Sequence, residues 1–333
     1  MKRLVLQSAT KMNIGYTIDI AHPFRLNTEG SSQPSYFEIR LCIERVEYRY
    51  GFAVTSERVE EEWLYVKKPR QAEKKWLERY YDAEVETFAC YADLAKFQSL
   101  LKERTRPNSL ALSTGARENI EGVQPLYLGF GSILFITLDT PLLETFTLIN
   151  CLATPEMKQF VLSALKDADL GIEDIKLEEQ NMKTLHYSEG NSIWFDWNEE
   201  SDGTHRLFDM LGYIYIALKR GYIVCIDEFD AHLHPHITRS LLEFFQHPDI
   251  NTKGAQLLIT THDTNLMRPS RLRRDQIWIA EKDRESETNL YSLNDIEDDR
   301  PGRSTEMFVR HYLAGEYGGV PFVGRTFAEP RMR

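Results

Sequence analysis

The sequence predicts an α/β protein in three parts: an antiparallel β region over residues 1–90, a helical insertion with connecting strands over 91–200, and a parallel sheet covered by helices over 201–333. Three observations predict it. Apolar and polar residues alternate near the start, apolar residues recur at helical spacing in the middle, and short unbroken apolar runs alternate with helix signals towards the end.

The alternation is clearest in SYFEIRLCIERVEYRYGFAV (35–54). Phe37, Ile39, Leu41 and Ile43 interleave with Glu38, Arg40, Cys42 and Glu44; the phase then shifts, and Val46, Tyr48, Tyr50 and Phe52 interleave with Glu47, Arg49 and Gly51. That shift predicts a turn between two half-buried strands around Glu44 to Val46. WLYVKK (63–68) reads as a third strand, stopped by Pro69. In the middle, YADLAKFQSLLKERT (91–105) puts Leu94, Phe97, Leu100 and Leu101 on one helical face. DTPLLETFTLINCLA and TPEMKQFVLSALKDADLG each open with a capping residue followed by proline, and the second closes on Gly171. GIEDIKLEEQ (171–180) returns to strand-like alternation. The last part reads as a helix (204–219), a strand (222–227), a helix from Pro235 through Phe245, and strands QLLITT (256–261) and QIWIA (276–280). Near-continuous apolar strands between helices predict a parallel sheet covered on both faces, in which ligands sit beyond the carboxyl ends of the strands.

Composition narrows the function classes. A formal charge of −11 argues against broad, sequence-blind attraction to nucleic acid, which depends on lysine and arginine neutralising phosphates. RPSRLRRD (268–275) remains either a local basic strip or a solvated turn. The longest apolar stretch, LYLGFGSILFITL (126–138), is too short to span a bilayer and reads as buried sheet or core helix. No secretory signal follows Met1, so a cytoplasmic chain without a membrane partner is expected. Cys42, Cys90, Cys151 and Cys225 have no close pairing, which fits reduced thiols better than a disulfide framework or zinc knuckle.

Three sites carry candidate chemistry. YIVCIDEFDAHLHP (222–235) is an apolar strand ending in Asp227 and Glu228. One carboxylate can hold the hydration shell of Mg²⁺ while the next orients or deprotonates an attacking water, although a solvated strand end has the same residues. LLITTHD (257–263) delivers His262 to a second strand tip, where it can donate to a terminal phosphate or simply cap the strand. ESDGTHR (200–206) precedes a helix: Ser201 and Asp202 suit the N-cap, Gly203 permits close backbone approach, and free amides in the first turn favour an anion. His232, His234 and His236 form an H-x-H-x-H pattern, but Pro235 interrupts it, so a metal site is not expected there.

Taken in order along almost the whole chain, these segments resemble the ABC-type branch of P-loop ATPases, specifically the bacterial AAA-type ATP-binding proteins related to the overcoming-lysogenization-defect ATPases. SDGTHR resembles the signature motif, YIVCIDE the Walker B strand, DAHLHP the D-loop and TTHD the switch histidine. RPNSLALS (106–113), RRDQIWIAEKD (273–283) and YLAGEYGGVPFV (312–323) resemble recurring segments of that group. The resemblance implies a P-loop NTPase core and an ATP-binding, ATP-hydrolysing module. Glu228 would then be the general base, Asp227 the Mg²⁺ ligand and His262 the sensor of the terminal phosphate. Ser201, Asp202, Gly203 and His234, the last standing where ABC proteins often carry an aspartate, would contact nucleotide across a homodimer.

One part of that pattern is missing. A phosphate cradle needs G-x-x-x-x-G-K-[ST], and no Gly-Lys occurs in the sequence. In the resembled group the P-loop and its helix precede the antiparallel sheet, and MKRLVLQSATK reads like the close of that helix. Met1 is therefore expected to be internal to a longer protein. The resemblance also implies an antiphage or abortive-infection role, with the nucleotide cycle gating a partner such as an effector nuclease. The competing expectation is a non-catalytic remnant or scaffold that keeps the fold and a partner surface.

Overall fold

The computed structural model describes residues 1–26, 30, 33–93, 95–140, 143–179, 181–267, 272–296 and 305–321. They form two compact units, Met1–Ile133 and Leu134–Arg333, and the fold is a mixed α/β one.

The first unit is built on a five-stranded antiparallel meander: β1 (Ser35–Ile43), β2 (Val46–Val54), β3 (Val59–Lys67), β4 (Lys74–Asp82) and β5 (Thr87–Ala92), in that order. The register Ile43↔Val46 leaves a two-residue turn at the expected phase shift. Glu44 (φ 51°) and Arg45 (φ 67°) both take the left-handed backbone that such a turn requires. Helices α1 (Lys2–Lys11), α2 (Ala95–Arg104), α3 (Ala111–Arg117) and α4 (Gln124–Gly131) complete the unit. The helix expected from Tyr91 starts only at Ala95, because Tyr91 and Ala92 are still paired in β5. Phe97 and Leu101 are buried as expected, whereas Leu94 and the side chain of Leu100 lie outside the described residues.

The sheet's inner face carries one buried ion pair. Glu62 on β3 is 1 % exposed and lies opposite Arg79 on β4, 4.0 Å away. Its carboxylate accepts from the Tyr50 hydroxyl (2.8 Å) and from the backbone N–H groups of Ala111 (2.6 Å) and Leu112 (2.9 Å), so it anchors the start of α3. Arg79 donates to the carbonyls of Ser109 and Arg106. The sheet and the turn before α3 are thus joined through two charged groups, each hydrogen-bonded to the backbone around that turn, with Arg79 Nε left buried and unpartnered.

The second unit holds a three-stranded sheet in the order β11–β10–β6: β6 (Ile133–Ile136), β10 (Ile223–Ile226) and β11 (Gln256–Ile259), with β10 and β11 parallel. Around it run α5 (Leu143–Ala153), α6 (Pro155–Asp167), α7 (Asp202–Arg220) and α8 (Pro235–Gln246), and a second antiparallel meander is formed by β7 (Ile172–Glu178), β8 (Asn181–Ser188) and β9 (Asn191–Asp196). The expected proline-led start of α5 falls on residues 141–142, outside the described residues. The apolar stretch 126–138 divides between α4 and β6.

One strand is placed differently from expectation. QIWIA becomes β12 (Trp278–Lys282), which pairs antiparallel with β13 (Thr288–Ser292) in a separate hairpin, with α9 (Thr305–Leu313) closing the described chain. Ile279 is buried with Leu293, Phe308 and Tyr317, while Trp278 and Ala280 on the other face are exposed. A strand with only one covered face suits a hairpin rather than the middle of a parallel sheet.

Among the described residues the β11–β10–β6 sheet is covered unevenly: one face is packed by helices, and the other buries Ile133 but leaves apolar side chains open. Leu134 and Ile136, Val224 and Ile226, and Leu257 and Ile259 all belong to the core that α5 to α8 complete. Because side chains alternate along a strand, Phe135, Cys225 and Leu258 point the other way. There Phe135 is 51 % and Leu258 65 % exposed. Among the described residues, no helix is long and apolar enough to cross a membrane, and all four cysteines are free of disulfides.

Candidate functional site

The strand tips of β10 and β11 come together as the sequence leads one to expect, and a threonine joins them. Past Ile226 the chain leaves the sheet with Asp227 N–H bonded to the Ile136 carbonyl (2.9 Å), and Phe229 N–H bonded to that of Thr260 (2.9 Å). The Thr260 hydroxyl donates to Asp227 Oδ1 (2.5 Å) and accepts from the Glu228 N–H (2.9 Å). One side chain from β11 therefore fixes both residues of the acidic pair.

The two carboxylates are left in different states. Among the described residues, Asp227 has one oxygen on Thr260 and the other without a hydrogen bond; Glu228 is exposed, and neither of its carboxylate oxygens has a hydrogen-bond partner. The backbone of Glu228 is left-handed (φ 49°), a conformation that costs a non-glycine residue about 1 kcal/mol or more and has to be held by its surroundings.

His262 is placed by a second carboxylate. Asp230 Oδ1 accepts from the Thr261 hydroxyl (2.6 Å) and from the His262 N–H (3.2 Å), while Thr261 Oγ1 accepts from the Asp263 N–H (3.0 Å). The loop after β10 and the loop after β11 are thus stitched twice, through Asp227–Thr260 and Asp230–Thr261. His262 itself is exposed at the tip.

Ser201 is the N-cap of α7: its Oγ accepts from Thr204 N–H (3.1 Å). Asp202 opens the helix and is exposed. Gly203 lies against the loop after β10, where a Cβ would stand 2.8 Å from the His232 carbonyl oxygen, so only glycine fits. From the next turn, the buried Arg206 donates through Nη2 to the carbonyls of Asp227 (3.0 Å) and Glu228 (3.4 Å). The helix start reaches the acidic pair through Arg206, and the loop beyond the pair, at His232, through Gly203, not through the side chains of Ser201 and Asp202.

His234 is the N-cap of α8, its Nδ1 accepting from His236 N–H (3.2 Å), and the two imidazoles stack 5.2 Å apart. Among the described residues no group of three or more His, Cys, Asp and Glu side chains is arranged to hold a metal by itself. The unspent oxygens of Asp227 and Glu228 fit Mg²⁺, which keeps much of its water and takes one or two carboxylates alongside phosphate oxygens. In the basic strip, Arg273 pairs with Asp275 (2.9 Å) and Arg274 donates to the carbonyls of Leu293 (2.7 Å) and Ile296 (2.8 Å); residues 268–271 lie outside the described residues, as do 322–323 of the last family-like segment.

Thr260, Asp230 and Arg206 all stand inside the quoted motifs, yet none was assigned a role. Two hydroxyls directly after an apolar run were the readable signal for Thr260 and Thr261. Nothing in sequence spacing reveals Arg206, whose partners are backbone carbonyls 21 and 22 residues away.

A family described as "AAA domain, putative AbiEii toxin, Type IV TA system" matches residues 21–268, about three quarters of the chain. The chain belongs to this AAA-domain family. Membership makes it a nucleotide-binding module of an AAA-type ATPase family, and the matched span contains the acidic pair, the α7 cap and His262. No curated protein matches it.

Proposed function

We propose that this AAA-domain protein is an ABC-like ATP-hydrolysing module, and that the tips of β10 and β11 with the start of α7 form the hydrolytic side of its nucleotide site. The observation that carries the reading is the Thr260 lock: Asp227 and Glu228 are held by their backbones and by one shared hydroxyl, while the Glu228 carboxylate is left unspent. Left-handed glutamates also occur at the turns of the antiparallel sheets, at Glu44, Glu86, Glu179 and Glu189; what sets Glu228 apart is the threonine of a neighbouring strand that holds its N–H.

In this reading Asp227 holds the hydration shell of Mg²⁺, which when bound would neutralise charge on the β- and γ-phosphates of ATP. Glu228 orients and deprotonates the attacking water, and His262, set by Asp230, hydrogen-bonds the terminal phosphate or that water. The N-terminal amides of α7, with Ser201, Asp202 and Gly203, face a phosphate held by a second protomer, and His234 lies in the connecting loop. The exposed Phe135 and Leu258 on the second sheet face support packing by a further strand–loop–helix that carries the phosphate loop, because a parallel sheet of this kind is normally covered by helices on both faces. The same reading makes the nucleotide cycle the gate of a partner effector in abortive infection.

The test is to translate the DNA upstream of the Met1 codon and to assay ATP turnover by the protein so extended. A strand followed by G-x-x-x-x-G-K-[ST], with turnover abolished and ATP binding retained in Glu228→Gln, is the expected result. A stop codon with no such loop would put the scaffold reading first, and unchanged turnover in Glu228→Gln would remove that residue as the base.

A further inference from the structure

We propose that Arg206 is a positioning residue that couples the N-terminal turn of α7 to the conformation of Glu228. The functional side of this coupling rests on the nucleotide reading above; the mechanical side stands on geometry alone.

Arg206 is 6 % exposed, and its Nη2 donates to the carbonyls of the two peptide groups that flank the Glu228 Cα, at 3.0 Å to Asp227 and 3.4 Å to Glu228. It therefore brackets the one residue of the acidic pair whose backbone is left-handed. From the opposite strand, Thr260 Oγ1 takes the Glu228 N–H. Held from α7 on its carbonyl side and from β11 on its amide side, the Glu228 peptide has little freedom to relax towards a more favourable backbone region. Gly203 adds a second close approach one turn earlier, where a Cβ would stand 2.8 Å from the His232 carbonyl oxygen. The loop from Asp227 to His232 thus rides on the first two turns of α7 at two points, and a displacement of the helix start is passed to Glu228.

A purely stabilising role fits this arginine less well. Its Nε is buried without a hydrogen-bond partner, and so is Asp209 Oδ1 one turn along the same helix. Burial also lowers the Arg206 pKa from its ordinary value, opposed by Asp209, Glu228 and Asp227. A buried cation with incomplete hydrogen bonding is expensive to keep where an apolar side chain would serve packing. What an apolar side chain would not supply is a grip on two carbonyls. By linkage, an anion that docks at the α7 N-terminus and shifts it must bias Glu228, and the state of Glu228 must bias the docking in return.

Amide hydrogen exchange tests both halves on the protein extended upstream to include the phosphate loop, comparing wild type, Arg206→Met and Arg206→Lys, with and without Mg²⁺ and ATPγS. Without nucleotide, peptides covering 227–234 should exchange about tenfold faster in Arg206→Met and close to wild type in Arg206→Lys, which keeps one donor, while 207–218 stays slow in all three. Unchanged exchange at 227–234, or a parallel rise at 207–218 in both variants, overturns the grip. With nucleotide, wild type should gain protection at 201–206 and 227–234 together; Arg206→Met should gain it at 201–206 alone, and Arg206→Lys at both. Joint protection persisting in Arg206→Met overturns the coupling. If wild type gains protection at neither segment, the nucleotide reading fails, while the nucleotide-free comparison still decides the grip.

Discussion

Glu62 and Glu228 are both strand-associated glutamates next to another acidic residue, and the fold uses them in opposite ways. Glu62 is buried, accepts three hydrogen bonds and faces Arg79 across the sheet; burial raises its pKa, and Arg79 together with the Leu112, Ala111 and Tyr50 donors pulls the other way. Glu228 is exposed, with a fixed backbone and a carboxylate that makes no hydrogen bond. The difference separates a carboxylate whose capacity is consumed by structure from one whose capacity is kept for something else. Position in the sequence does not reveal which is which; the number of donors converging on the side chain does.

Substitutions can break this contrast. Glu62→Ala should have the largest effect: it leaves Arg79 as an uncompensated buried charge and two helix-start amides without their acceptor, so unfolding should be easier by about 3–5 kcal/mol, measured by urea denaturation. A shift below about 1 kcal/mol would mean that the pair contributes little. Next comes the packing behind the candidate site. A Cβ at Gly212 on α7 would stand 2.1 Å from Thr147 Oγ1 on α5, so Gly212→Ala should cost about 1–3 kcal/mol by the same measurement, and Gly212→Ala with Thr147→Ala should recover part of it.

Asp209 is the intermediate case. Burial, then Glu144, pushes its pKa up to about 6 from an ordinary 3.8, with Arg206 and His205 opposing. The folded state holds this proton more tightly than the unfolded chain, so the contribution to stability is fully present below pH 3.8 and is lost as pH rises through about 6. Asp209→Asn should therefore raise stability at pH 7 by about 1–2 kcal/mol, after discounting for its partial exposure, and flatten the urea midpoint between those pH values. An unchanged pH profile would place the titrating group elsewhere. Smallest is Glu228→Gln, which should alter the unfolding free energy from urea denaturation by less than about 0.5 kcal/mol, since no hydrogen bond to the carboxylate is lost. A large loss there would make Glu228 structural and erase the contrast with Glu62.

The same contrast explains what the sequence could and could not convey. Local order was legible: the phase shift at Glu44–Arg45 fixed the first hairpin, and the capping signals at Ser201 and Pro235 located α7 and α8. Partnership was less so. The strand at 278–282 was recognisable, but its pairing with β13 depends on which face is covered, and the four-residue β6 carried too short an alternation to announce itself as the neighbour of β10. At the site, the carboxylates and His262 were readable because apolar strands deliver them to one end. Their locks were not, since Thr260, Asp230 and Arg206 act across 21 to 33 residues of chain and largely on backbone atoms.

In the function proposed above, the β10 and β11 tips and the start of α7 form one nucleotide-contacting surface. The decisive measurement is residue-resolved amide shifts on adding Mg²⁺ and ATPγS to the protein extended upstream to include the phosphate loop. Shifts should concentrate at 201–206, 227–234 and 260–263 and weaken when Asp227 is changed to Asn. Shifts confined to the five-stranded sheet, or none at these three segments at saturating nucleotide, would contradict it.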